Sequence, residues 1–526
     1  MSRRPALDIS AAADRICWLF ATAEAVAIPP DFTGLRGTFV PFSGLLPEDD
    51  MTLSATLAKS RPTIHPILVL LATSLGVLIA QIDTSVVSLA VKSIGADLGS
   101  GVSEMQWVID VYNLIYATLL LTGGVLGDLY GRRRIFVCGI ALFMLGTIVC
   151  ALAPNGATLI AGRAISGLGA ALELPMSLVL LTLAYPEEKS RAHALGIWAS
   201  CNGLAFIIGP TLGGFLVGSA GWRSIFYLIL PACAAALILT YAGVEESSSP
   251  RGRKLDLTGQ ILAIVAIGGL AFAAIEGSHW GWTSLPILSI AALALVAGVA
   301  FLLVEARLKG AMVPLDLFRN RVFSSALSIA GLMTFGMYAL LFLVPLYFQT
   351  MRGESALVAG LQMLPMSVSF VLVSQLTGHM TNAIGPRLVM TGGMICMGLG
   401  AILLAFVGEH TNAWLIGAAL LIVGVGLGLN TSPVNGVAIA SVPKARSGSA
   451  SGLLNTARMI GATFGIAILG GLFAAFAGQD AAAGDGFLSG LRAAMLFGGS
   501  AELVGAAVAF AFIQRNSLQS KKPGGD

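Results

Sequence analysis

Fourteen long apolar runs, separated by short polar segments, constrain this chain more than any other feature. They cover residues 66–92, 105–127, 133–152, 157–184, 192–217, 223–242, 258–276, 284–305, 323–349, 356–379, 385–407, 412–438, 448–476 and 487–514. About 20 such residues in helical form cross the ~30 Å hydrocarbon core of a bilayer. The runs are too long for strands and lack the alternation of a porin-type strand. Lipid offers no hydrogen-bond partners to an open backbone, so helices are the form that fits. The chain is therefore expected to be an all-α polytopic membrane protein. Composition agrees, with 56% hydrophobic residues, only 11% charged residues and a mean hydropathy of +0.86. That balance excludes a soluble globular protein, a disordered chain and a nucleic-acid binder. Six cysteines have no metal-ligand spacing, and all but Cys17 lie within apolar runs, where they read as small hydrophobes.

Basic residues set the expected orientation. Eighteen Lys and Arg fall in the segments after even-numbered runs or at the C-terminal end, among them Arg132, Arg133, Arg134, Arg251, Arg321 and Arg387. Four fall on the opposite face: Lys92, Arg223, Arg352 and Arg492. This asymmetry places the basic face, and both ends of the helical region, in the cytoplasm, as expected of a multi-pass protein of the cell (inner or plasma) membrane.

Residues 1–62 stand apart. They contain no span-length run and no signal-peptide layout, and Met51 lies fifteen residues before the first run. They are expected to be a dispensable disordered tail or the product of a misplaced start. Beyond them the expected organisation is a first six-helix bundle over 63–244, then a linker with a two-helix hairpin over 245–321. A second six-helix bundle follows over 322–514, with a cytoplasmic tail over 515–526. The segments "GVLGDLYGRRRIFVCG" and "GHMTNAIGPRLVMTGG" occupy matching places in the two bundles. Repeated halves around a central site are a transporter architecture.

Four strings carry a family resemblance. The loop Gly124-Val125-Leu126-Gly127-Asp128-Leu129-Tyr130-Gly131-Arg132-Arg133-Arg134 closely resembles the signature G-x-L-[AG]-D-x-x-G-R-[RK] of the major facilitator superfamily. "IDTSVVSLAV" in the first run is similar to the L-D-x-T-I-V-N-V-A-L-P string of fourteen-span drug:proton antiporters, departing at Ser88 and Lys92. "GRAISGLGAA", with Arg163, Gly167 and Gly169, resembles the family's R-x-x-Q-G-x-G-A-A, with Ser166 at the glutamine. "AFIIGPTLGG", with Gly209, Pro210, Gly213 and Gly214, is close to the antiporter string G-x-x-x-G-P-x-x-G-G, with Ala205 at the first glycine. The resemblance spans about residues 64–514. It implies the major facilitator fold, two six-helix bundles with an inserted hairpin. It further implies a conformational latch at Gly124, Asp128, Gly131, Arg132 and Arg133, and an antiporter packing seam at Gly209, Pro210, Gly213 and Gly214.

Ionisable groups inside spans are costly and are functional suspects by default. Here they are Asp83, Asp110, Arg163, Glu173, Arg458 and Glu502. Asp110 lies ~27 Å along its helix from Asp128, and Asp83 ~25 Å from the inner end of its own. Arg163 sits about two turns below the outer end of the fourth span, so these three can share one outer layer. Glu173 falls about 15 Å deeper, near the midplane. Asp83, Arg163, Glu173 and Asp110 are the candidate proton-coupling or substrate residues. Gly124 and Gly127 are expected to let helices approach closely.

The reading that follows is a proton-coupled exporter of drugs or antibiotics, working by alternating access on hydrophobic or cationic small molecules. A proton-linked sugar or organic-anion transporter of the same fold is the alternative. Burial favours the neutral form of a carboxyl, which lets such a group carry a proton between faces. No GxxxxGK[ST] loop appears, so ATP is not the expected energy source. No catalytic triad, HExxH or Cys/His constellation points to an enzyme, a metal or a cofactor. The protein is expected to act as a monomer in the bilayer, driven by the proton gradient.

Overall fold

In the computed structural model, the described residues are 65–248, 256–308, 313–443, 446–478 and 484–514. The expected tail over 1–62, the Met51 start and the tail over 515–526 lie outside them. The described residues form one compact unit.

Fourteen helices of membrane-crossing length occur among the described residues. The first six are α1 (Pro66–Leu98), α2 (Val102–Tyr130), α3 (Arg132–Ala151), α4 (Gly156–Ala184), α5 (Glu188–Ala220) and α6 (Arg223–Gly243). The hairpin is α7 (Leu257–Trp280) and α8 (Leu285–Arg307). Then come α9 (Arg321–Thr350), α10 (Ala356–Ile384), α11 (Pro386–Leu404), α12 (Ala413–Ala440), α13 (Ser447–Ala477) and α14 (Asp485–Phe512). Their ends agree with the apolar runs to within six residues. The largest extension is α1, which runs on through Asp97 and stops where Gly99 takes a left-handed φ of 65°. Two helices are irregular. α10 has a joint at Met363 just before Pro365, and α13 widens into a π turn over Gly465–Leu469.

Helix neighbours repeat. In the first bundle α1 packs on α5 and α6, α2 on α4, and α3 on α4 and α6. Adding eight to each label gives the neighbours of the second bundle: α9 on α13 and α14, α10 on α12, α11 on α12 and α14. The joints between bundles repeat as well, with α2 against α13 and α5 against α10. This is a pair of repeated halves meeting at a central seam.

The hairpin sits beside that seam. Gln260 of α7 donates to the Thr118 carbonyl of α2 at 2.8 Å. Toward the other end, Glu276 accepts from Ser103 and Trp107 at 2.9 and 2.8 Å. α7 also touches α13, where Gly471 lies against the Ala274 carbonyl at 2.6 Å from its would-be Cβ. α8 is apolar on nearly all sides and mostly exposed, as a lipid-facing helix should be.

Candidate transport pathway

Asp83 and Arg163 meet in the core of the first bundle. Asp83 is 1% exposed and Arg163 fully buried. The guanidinium bonds the Asp83 carboxylate through Nη1, donates from Nε to the Val108 carbonyl at 3.0 Å, and lies 4.5 Å from the Tyr112 ring centroid. α1, α2 and α4 each supply a part of this cluster. One oxygen of Asp83 and one nitrogen of Arg163 have no partner. Mutual neutralisation is what allows both charges to sit away from water.

Asp110 shares the level of that pair but not its face. Val108 serves Arg163, whereas Asp110, two residues on, points across the seam toward the Thr463 hydroxyl of α13. Gln106 and Asn113 lie on the same buried stripe of α2, and the Gln106 amide abuts Gly470 of α13. Residues four and three apart share a helix face, whereas two apart do not. The expected outer layer of three is thus a pair plus a separate seam group.

Glu173 faces into the first bundle. Gly139 of α3 passes so close that a Cβ there would lie 2.7 Å from the Glu173 backbone nitrogen. The carboxyl is 2% exposed, and its Oε1 has no partner. Cys233 of α6 and Tyr116 of α2 lie within electrostatic range of it. Glu502, on α14 of the second bundle, is buried against Gly336 of α9.

The loop between α2 and α3 is tied down within its own half. Gly131 takes φ 111°, a conformation that suits glycine, and a Cβ there would strike the Glu246 carboxylate. Asp128 accepts from Arg132 at 2.9 Å. The amides of Arg133 and Arg134 donate to Glu246 at 3.1 and 3.2 Å, and that of Arg132 to the Ser247 carbonyl at 2.8 Å. Arg133 also stacks 5.2 Å from the Tyr241 ring centroid, beyond the end of the loop. Close approach of α2 to α4 falls at Gly123, against the Ala171 carbonyl, and at Gly127, against Met176. Gly124 has nothing near it. The expectation of close approach at Gly124 is corrected, because one residue turns a helix face by 100°.

α5 uses its glycine–proline run on two faces. Gly209 and Gly213 receive Ser85 and Val86 of α1, while Gly214 meets α10 with its would-be Cβ 2.5 Å from the Ala356 carbonyl. The Pro210 carbonyl fits against Gly360 of α10. Nearby, Lys92 of α1 reaches the Gln349 carbonyl of α9, and Gln349 donates back to the Leu89 carbonyl at 3.0 Å. All of these joints lie toward the face opposite the basic loops. Over the basic-face portion of α10, Leu372–Ile384, only Thr377 and Thr381 are buried. Along α5 and α10 the halves are thus joined at one end and less covered at the other.

The centre of the seam holds groups whose part the sequence did not reveal. Arg458 of α13 is partly accessible, and Tyr116 of α2 and Tyr338 of α9 are within electrostatic range of it. Its Nη atoms reach Asn455 and the Thr431 carbonyl only at 3.5 Å, and Nε has no partner. Thr334 of α9 donates to the Arg458 carbonyl at 2.6 Å and fixes that stretch of α13. Among the described residues there is no group of three His, Cys, Asp or Glu that could hold a metal ion.

Two repeated halves of six membrane-crossing helices with an inserted pair, and ionisable groups buried in and around the seam, define a membrane transporter. The chain belongs to the Major Facilitator Superfamily, whose family model matches residues 73–466. It is 40% identical over 410 residues to the multidrug resistance protein Stp of Mycobacterium tuberculosis, covering 78% of this chain and 76% of Stp. It is 32% identical over 428 residues to the methylenomycin A resistance protein of Streptomyces coelicolor, covering 81% of this chain and 90% of the relative. Among solved structures, a POT family transporter in complex with a thioalcohol-conjugated peptide superposes with a TM-score of 0.63 at 16% identity. That match covers 84% of this chain and 95% of the transporter, and it speaks to the fold alone. The chain is therefore a multi-pass membrane protein of a transporter family and not an enzyme.

Proposed function

We propose that this protein exports drugs or antibiotics across the cell membrane by alternating access, with proton entry as the driving force. The observation that carries export is the similarity, over most of both chains, to proteins named for multidrug and antibiotic resistance. Proton coupling is supported by carboxyls inside the spans. Glu173 and Asp110 are buried with no cation bonded to them, and the neutral acid is the form such a place tolerates. Asp83 and Arg163 supply a charge pair that a change in helix packing can open. When the seam parts, water reaches these groups and a proton can leave to the other face.

The basic face is the cytoplasmic one in this reading, so both ends of the helical region are cytoplasmic. The joined end then faces outward, and the less covered end faces the cell interior, where a drug is collected. A membrane potential adds ~2.3 kcal/mol per charge per 100 mV, roughly a fiftyfold gradient. The transporter works as a monomer, without ATP or a bound cofactor. The test is a panel of toxic compounds against an efflux-deficient host expressing the chain, with and without a protonophore. Raised tolerance abolished by the protonophore supports the reading. No raised tolerance to any compound, together with proton-linked uptake of a metabolite, would favour the metabolite transporter.

A further inference from the structure

Charge balance at the seam bears on what the transporter carries. Among the described residues, two arginines lie within the central stretches of the spans, Arg163 and Arg458. The Asp83 carboxylate answers the first. The second has no carboxylate within ion-pair distance. Its contacts to Asn455 and the Thr431 carbonyl, at 3.5 Å, are at the long limit of a hydrogen bond, and Nε has no acceptor. None of the remaining acids of the spans bonds it: Asp110 is turned toward Thr463, Glu502 lies against α9 at Gly336, and Glu173 makes no ion pair with it. A guanidinium stays charged in a protein, so Arg458 presents a positive charge that no carboxylate answers.

We infer that Arg458 is the anchoring residue of the substrate site and selects small drugs carrying a carboxylate or similar anion. This deepens the export reading and rests on it. The guanidinium fork matches a carboxylate through two parallel bonds. An anion would supply the counter-charge that the protein leaves out, whereas a cation would meet repulsion at the same place. Thr334 holds the backbone of α13 at this point, so the side chain is presented from a fixed support.

The test uses the full chain in proteoliposomes and three dyes on one xanthene scaffold: a carboxylate, its uncharged amide and a trimethylammonium analogue. Binding is read by fluorescence anisotropy, and export in everted vesicles. The wild type should bind the carboxylate most tightly. Arg458→Gln should weaken that dye about tenfold or more while moving the amide less than threefold, the loss of one charge-assisted contact. Arg458→Lys should recover a good part of the difference, which a merely structural defect would not do. Thermal unfolding of each variant separates misfolding from lost recognition. Tighter binding of the trimethylammonium dye by the wild type, or equal losses of all three dyes in a stably folded Arg458→Gln protein, would overturn the inference. Export of the amide and cation but not the carboxylate would overturn it while leaving export intact. Export of none of the dyes, with the carboxylate still bound through Arg458, would support the site and count against the export reading.

Discussion

At Asp83 and Arg163 a stability effect and a transport effect can be separated. Removing one partner of a buried pair strands the other charge, at a cost of about 3–5 kcal/mol. Asp83→Asn should therefore lower the unfolding temperature of the purified protein and abolish proton-driven export. The double variant Asp83→Asn/Arg163→Gln should regain most of the stability and none of the export. Thermal unfolding in detergent beside vesicle export checks both, and a double variant no more stable than the single one would contradict the pairing. Glu173 offers a complementary case. Glu173→Gln keeps shape and neutrality, so folding should change by less than about 0.5 kcal/mol. Proton-driven accumulation should fall while substrate counterflow persists, and loss of both would assign Glu173 to substrate handling. That Asp83 and Arg163 share a level was legible in the sequence because depth along a helix is simple arithmetic. The face each residue takes was not. Asp110 has the right depth for the pair, yet its azimuth on α2 sends it to α13. The isolation of Arg458 was illegible for a different reason, since it depends on where the acids of several other helices point.

Among the elements, α2 provides the clearest test of helix rotation. Gly123 and Gly127 face α4, while Gly124 faces open space. Gly123→Leu should cost about 1–3 kcal/mol or more through overpacking. Gly124→Leu should leave the amount of folded protein in the membrane close to wild type. Fluorescence-detected size exclusion of the two variants measures this, and equal losses would place the contact face wrongly. The sequence displayed the glycines of α2 and the packing run of α5 plainly, but not which of each set touches what. Gly209 and Gly213 serve α1 while Gly214 serves α10, a division that only the crossing of three helices decides. The length of each span was legible because bilayer thickness fixes it. The joint of α10 at Met363 and the π turn of α13 were not, because both depend on what the neighbouring helix demands.

For the whole molecule, the repeated neighbour pattern of the halves and their joint at one end are what alternating access requires. Wedging that joint should bias the protein toward the other state. Gly214→Leu, whose side chain would meet the Ala356 carbonyl of α10, should raise labelling of cysteines introduced near Gly360 from the outer face. Unchanged labelling in a folded variant would mean that this joint is not the gate. The six-two-six layout was visible in the sequence because hydrophobic length and basic loops both mark it. The joined end was not, since it is a property of state rather than of composition. The most direct measurement is accumulation of an exported drug by everted vesicles energised through respiration, with a protonophore added midway. The expected result is rapid loss of the accumulated drug in wild-type vesicles and no accumulation with Asp83→Asn. Accumulation that persists after the protonophore, or that requires ATP with the gradient collapsed, would contradict proton-driven export.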